Sequence, residues 1–308
     1  MAYRTQLLLL GTALLLIAST FFNPTGLMER DLYRYVYVFD ISQSMNVRDV
    51  PGLEGEISRL EYAKQTAVES LELLPCGTEV GLALFTGHRA FLLLTPVEIC
   101  ANLLELSGVI DNVNWQMTWK LRSEIAKGIH KSIKLMAQLP TETRVAFFTD
   151  GHEAPPIHPD LAPRFSGDKE AVGGIIVGVG GAEPSPIPKF DKQGEQQGNW
   201  AAEDVMQVDS FTASQNAREG LENSISGTEH LSALKEDYLR EIAADTGLQY
   251  RQIGNAREFS SALMDKSLGI PDLQLTKFSW LLALTGLVFV LVSLLGRDRS
   301  AGNNSPIQ

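Results

Sequence analysis

Cysteine is scarce in this sequence, with two among 308 residues, which excludes a disulfide-knit scaffold and a zinc ribbon of paired cysteines. Positive charge is also short. There are 26 Lys and Arg against 37 Asp and Glu, a formal charge of −11. A surface that acidic repels phosphate backbones, so nucleic acid is excluded as a partner. Enzyme signatures are missing as well: no Gly-rich loop ends in Gly-Lys-Ser/Thr, and neither His-Glu-x-x-His nor a nucleophile elbow occurs. Gly178-Val-Gly180 looks like a dinucleotide turn, but Glu183 stands where the third glycine belongs. No internal repeat is present. What remains is an acidic chain whose hydrophobic residues, 44% of the total, suffice for a packed core and are unevenly spread.

They collect first at the two ends. No charged residue occurs from Thr5 to Met28, and a second uncharged run of 19 residues extends from Phe278 to Gly296. A membrane-crossing helix needs about 20 apolar residues, so both runs are candidates. The first is read as an uncleaved anchor, with a signal peptide as the alternative, because Ser19-Thr20-Phe21-Phe22 follows Ala18 where an A-x-A cleavage site belongs. Arg4 precedes the first run and Arg297 and Arg299 follow the second, whereas Glu29 and Asp31 lie inward. Basic flanks stay in the cytoplasm, which puts the interior of the chain outside. The expected division is an anchor at 1–28, one domain at 29–272, a second span at 273–296 and a cytoplasmic tail at 297–308.

Between the ends, β-rich apolar runs alternate with segments of helical period. Strands are expected at 35–39, 79–86, 90–94, 144–149, 172–179 and 248–253. Helices are expected at 58–74, 99–110, 123–138 and 231–246, the last ended by Gly247. Leu60, Ala63, Ala67, Leu71 and Leu74 share one face of the first, and Ile125, Ile129, Ile133 and Met136 one face of the third. The alternation predicts a Rossmann-like α/β fold: a mostly parallel central sheet, one antiparallel edge hairpin turning at Gly87-His88, and helices on both faces. The register of that hairpin sets Cys76 beside Cys100, and an oxidising compartment would join them. From 182 to 229 the chain is polar and rich in proline, glycine and amides. That interval reads as an excursion with a short hairpin near 191–200 and a flexible stretch after it.

Two carboxylates, Asp40 and Asp150, each close a buried strand, and ligands of open α/β sheets bind at such carboxyl ends. Asp40 opens the string Asp-Ile-Ser-Gln-Ser, which adds the hydroxyls of Ser42 and Ser44. Carboxylate and hydroxyl oxygens are hard donors, suited to Mg2+, Mn2+ or Ca2+. With both acids shared around one ion no general base is left over, so the chain is read as a binding protein and not an enzyme.

The pattern resembles the metal-ion-dependent adhesion site of von Willebrand factor A (VWA) domains, which runs DxSxS, a distant Thr and a distant Asp. The resemblance covers Tyr33 to about Leu263 and implies a divalent cation held by Asp40, Ser42, Ser44, Asp150 and one further hydroxyl. The family's Gly-Gly-Thr is absent here. Ser123, in Ser-Glu-Ile-Ala-Lys-Gly-Ile, matches the spacing of the family's T-x-I-G-x-A-L and suits a helix cap, so it is the expected third ligand. Thr118, in Trp-Gln-Met-Thr-Trp, is the alternative. Arg48, Asp49, Trp115, Trp119, Arg122, His152 and Glu153 would rim such a site. Exposed Trp and Arg serve as binding anchors, although either tryptophan could equally pack beneath the loop. His152 and His158 lack zinc spacing and are read as surface residues.

Further strings resemble the membrane-anchored bacterial A-domain proteins of the aerotolerance (Bat) type, among them Ser58-Arg-Leu-Glu-Tyr-Ala-Lys64, Leu94-Thr-Pro96 and the stretch 239–247. The Trp-rich, glycine-poor loop before Ser123 departs from that type. It turns the reading toward A-domain proteins encoded beside periplasmic methanol dehydrogenases. That resemblance implies a maturation or calcium-insertion factor for a periplasmic metalloenzyme. Such a factor works at the bacterial inner membrane with other membrane-anchored VWA proteins and a MoxR-type AAA+ ATPase. The partner would complete the ion's coordination with an acidic side chain. The alternative is a Bat-type stress or adhesion-like protein-binding module.

Overall fold

Strand β1 (Arg34–Asp40) shows why this chain builds a sheet covered on both sides. Tyr35, Tyr37 and Phe39 enter one apolar cluster and Val36 and Val38 another, because successive side chains of a strand leave opposite faces. The computed structural model describes residues 2–301 apart from 119, 121, 222–226 and 253. It divides into two compact units, 32–270 and the terminal segments 1–31 with 271–308.

In the larger unit β1 leads to α1 (Arg59–Leu73), the hairpin β2 (Glu79–Thr86) and β3 (Arg89–Glu98), then α2 (Leu103–Asp111) and α3 (Ile125–Met136). There follow β4 (Arg144–Thr149), β5 (Gly174–Gly178), α4 (Ser210–Glu219), α5 (Glu236–Thr246), β6 (Gln249–Gln252) and α6 (Ala256–Leu263). These six strands form one sheet in the order β6-β5-β4-β1-β2-β3, parallel throughout except for β2–β3. Helices α1, α2 and α6 cover the tyrosine face through Leu60, Ala67, Leu106, Ile110, Phe259 and Leu263. Helices α3 and α5 cover the other through Ile125, Ile129, Ile133, Met136, Leu239 and Ile242. The expected α/β architecture with an antiparallel edge hairpin is the one observed.

Element ends differ from expectation where tertiary contacts take over. Strand β3 runs on past Pro96, which an edge strand tolerates. Ile99 N still donates to Thr78 O at 3.0 Å, so α2 begins at Leu103 and not at 99. Ser123 is not a helix cap: its backbone exchanges two 2.8 Å bonds with Ala154, and α3 starts at Ile125. The cap comes from another loop, where Glu153 Oε1 accepts from Ala126 N at 3.0 Å. The segment expected as one helix from 231 opens as a short antiparallel pairing of Leu231–Ser232 with Ser185–Pro186. Within the excursion Pro188–Phe190 pairs with Gln196–Asn199 as a hairpin. The stretch after it contains α4, which Asp209 caps through Phe211 N and Thr212 N and Gly220 ends at φ 70.

Cys76 and Cys100 form a disulfide with Cα atoms 5.4 Å apart, just beyond the last hairpin pair, Glu79 and Glu98. Replacing both with serine should lower the stability of the full-length protein by about 3 kcal/mol, the chain-entropy value for a loop of this length. Urea denaturation in detergent measures it. A loss under about 1 kcal/mol would mean that the bridge constrains little of the unfolded chain.

The terminal unit holds helix Ala2–Ser19, strand Thr25–Leu32 paired with Ile270–Lys277, and helix Ser279–Ala301. The compact α/β body runs from 32 to 270. Small residues bring the two helices together. A Cβ on Gly286 would lie 3.0 Å from Ile17 Cγ1 and 3.4 Å from Ala13 O, the close approach by which helices pack in bilayers. Arg4–Phe22, 19 residues at mean hydropathy 1.9, is long and apolar enough to cross a membrane. The apolar part of the second helix, Ser279–Leu295, is shorter, near the lower limit of about 17 residues for a span.

Candidate metal centre

Strands β1 and β4 are neighbours with Phe39 opposite Phe148, so the carboxyl ends of both strands bring Asp40 and Asp150 to one edge. Both are fully buried. Asp40 accepts from Ser42 N at 2.9 Å through Oδ1 and from Thr149 Oγ1 at 2.7 Å through Oδ2. Ser42 Oγ and Ser44 Oγ are 3.2 Å apart, and Ser44 Oγ donates to Asp150 Oδ1 at 3.1 Å. Burial, and after it the negative charge of Asp150, pushes the Asp40 carboxyl up to about 7. Burial acts on Asp150 too, but the Arg59 guanidinium and His152 outweigh it and hold that carboxyl below its usual range.

Arg59 is the residue that sequence reasoning missed. It is fully buried at the start of α1. Its Nη1 donates to Asp150 Oδ2 at 2.6 Å and to Ser232 Oγ at 2.7 Å, and its Nη2 to Asp49 Oδ2 at 2.6 Å. Gly180, at φ 122, lets the loop after β5 lie on this guanidinium, since a Cβ there would come 2.6 Å from Nε. Asp49 therefore faces inward to Arg59 and is no rim residue. Charge then decides what the site lacks: one guanidinium, Arg59, serves both Asp49 and Asp150, and Asp40 adds a third acid, which favours a further positive partner at the cluster.

The two candidate third ligands are placed differently. Ser123 Oγ is buried without a hydrogen-bond partner, and Ser123 lines one cavity with Ser42 and Ser44. Thr118 Oγ1 is engaged elsewhere, with Thr86 Oγ1 and with Lys120 O at 2.9 Å. A set of hydroxyls and carboxylates with one orphaned hydroxyl fits a hard divalent cation.

Of the expected rim, Arg122 lines the cavity. Trp115 stacks on Phe190 at 4.7 Å and packs against the core beneath the loop. Trp119 lies outside the described residues. His152 is no surface residue: it is 4% exposed and lines the cavity, because the loop after Asp150 folds inward. His158 is half-buried and packs edge-on to Phe211 at 5.4 Å. Glu153 accepts from Tyr238 OH at 2.6 Å as well as from Ala126 N, and burial pushes its carboxyl up to about 7.

Fold and site together define a class, an α/β domain with a carboxylate–hydroxyl cluster at the carboxyl edge of a mostly parallel sheet. No family model matches the chain. A curated relative, a UPF0353 protein of Nocardia farcinica, is 28% identical over 166 residues, 50% of this chain and 45% of that protein. The chain thus spans a little under half the length of the curated relative it matches. Among solved structures, an aerotolerance-related membrane protein of Bacteroides fragilis is 18% identical over 74% of this chain and 95% of its own, at a TM-score of 0.48. BatB of Bacteroides thetaiotaomicron is 19% identical over 74% and 94%, at 0.45. The ArnB paralog VWA2 of Sulfolobus acidocaldarius is 13% identical over 78% and 46%, at 0.37.

Proposed function

We propose that this is a membrane-anchored protein whose α/β domain binds one divalent cation, Mg2+, Mn2+ or Ca2+, and through it an acidic group of a protein partner. Asp40, Ser42, Ser44, Ser123 and Asp150 would hold the ion. The observation that carries this is Ser123 Oγ, buried and unpartnered on the cavity that Ser42 and Ser44 also line. A bound cation supplies a Lewis-acidic point for an anionic ligand. Arg59 fixes Asp150 and Thr149 fixes Asp40, and a bound cation would take up both as carboxylates and leave no free general base. The chain is accordingly a binding module and not an enzyme, with its domain on the outer side of the membrane by the basic flanks. Of the two functions weighed from sequence, the Bat-type binding module is the one we carry, and the solved relatives named above are of the Bat and VWA kind. A maturation factor for an enzyme such as methanol dehydrogenase, acting with a MoxR-type ATPase, needs a partner that no residue of the site selects.

Calorimetry on the full-length protein in detergent, titrated with each cation, tests the ion site. Asp40→Ala should abolish binding. Ser123→Ala should weaken it about tenfold, roughly 1.4 kcal/mol, and Thr118→Ala should leave it unchanged. Unaltered affinity in Asp40→Ala would remove the metal site, and loss on Thr118→Ala alone would move the third ligand to the other loop.

A further inference from the structure

We infer that the cavity beside the ion site binds a monocarboxylate carried on an apolar body, either a free acid or the end of a peptide. This rests on the metal-binding reading above and names the kind of anion that the site selects.

Three buried polar atoms without partners belong to residues lining this one cavity: Ser123 Oγ, His152 Nδ1 and Trp200 Nε1. Buried polar groups are normally paired, so three orphans on one cavity mark a place that a ligand satisfies. An indole N–H can only donate, which suits an anionic acceptor. The ring that carries it is held in place: Trp200 N donates to Ile187 O at 2.9 Å, and Lys189 Nζ sits 4.6 Å from the ring centroid.

The rest of the lining separates a polar end from an apolar one. Ser42, Ser44 and Ser123 supply hydroxyls where the ion would stand. Pro155 and Pro156, from the loop after Asp150, and Ile187, Val205 and Met206, from the excursion, supply apolar wall. A volume of about 260 Å³ falls below the range of drug-sized sites, about 300–1,000 Å³, so the body is small, comparable to one leucine or phenylalanine side chain. Charge sets the valence. Arg122 and the cation favour an anion, and Asp204 is already paired with Lys189 Nζ at 2.8 Å. Glu229 on the same lining opposes a second negative charge, so the ligand carries one.

Full-length protein in detergent, saturated with Mn2+, is titrated calorimetrically with 4-methylpentanoate, with acetate, and with a tetrapeptide ending in leucine whose carboxyl is free or amidated. We expect 4-methylpentanoate to bind at least tenfold more tightly than acetate, and only when Mn2+ is present. Trp200→Phe, which keeps an aromatic side chain but loses the N–H and the smaller ring of the indole, should weaken it about tenfold with Mn2+ affinity unchanged. Tighter binding of the free-carboxyl peptide assigns the ligand to a protein terminus; binding of the acid alone assigns it to a small molecule. Equal affinity for acetate and 4-methylpentanoate, or no effect of Trp200→Phe, overturns the inference while the ion site stands. Failure to take up Mn2+ in the first titration overturns the metal site, and this inference falls with it.

Discussion

Replacing Arg59 with leucine should destabilise the protein by about 3–5 kcal/mol, the range for removing one partner of a buried ion pair. The side chain is fully buried, and its guanidinium binds Asp49, Asp150 and Ser232 together. Without it Asp150 keeps a charge in the interior with only Ser44, Ser232 and the His152 amide as donors. Asp49 likewise loses the cation it grips with both oxygens. Leucine fills much of the volume, so the loss is chiefly electrostatic and part of it should be reversible. Adding Asp150→Asn to Arg59→Leu should recover a large share, because the uncompensated charge is gone. Urea unfolding of the full-length protein in detergent, run as a double-mutant cycle, reads both effects. A saturating dication should narrow the gap between wild type and Arg59→Leu, because an ion supplies the positive charge that the variant lacks. A loss under 1 kcal/mol would show that the pair is not what holds Asp150 in place.

Arg59 also shows where sequence reading stops. The layers were legible because they follow from periodicity: a strand of alternating Tyr and Val faces two cores, and Leu60, Ala67 and Leu71 recur at helical spacing beneath one of them. The hairpin turn at Gly87-His88 and the meeting of Asp40 with Asp150 follow from equally local signals. A buried arginine gives no such signal, since a charged residue beside a helix cap reads as solvated. One hint was present. A basic residue in the first turn opposes the helix dipole, so something other than the helix itself must favour it there. Ser123 failed as an expected cap for the converse reason. Its sequence context is that of a cap, yet Glu153, distant in sequence from the helix it serves, takes the role. Helix α4 was legible in principle, from Asp209 and Gly220 at its ends, but the polar composition around it hid those signals.

Glu153 leads to the second large effect. In ion-free protein, Glu153→Gln should gain stability over wild type as pH rises from 5 to 8, reaching about 3 kcal/mol. Burial raises this carboxyl from 4.5 to about 7, and the bonds from Tyr238 and Ala126 only partly offset that. At pH 5 the folded protein keeps Glu153 protonated, and glutamine is then a near-isosteric replacement that still offers an oxygen to both donors. Between about 4.5 and 7 the unfolded chain has released the proton that the folded chain retains, so wild-type stability falls as pH rises through that window. Above 7 the folded protein carries a buried carboxylate whose Oε2 has no partner, and the loss is complete. His130 and His152 act in the opposite sense below their ordinary range, because burial lowers both, and Asp40 acts in the same sense as Glu153. All three are common to both proteins, and the difference between variant and wild type cancels them. The measurement is the urea midpoint of each protein in detergent with EDTA, at pH 5, 6, 7 and 8. A difference that stays flat, or that favours wild type at pH 8, would mean that Glu153 is charged at little cost and that its bond to Ala126 alone explains its place at the start of α3.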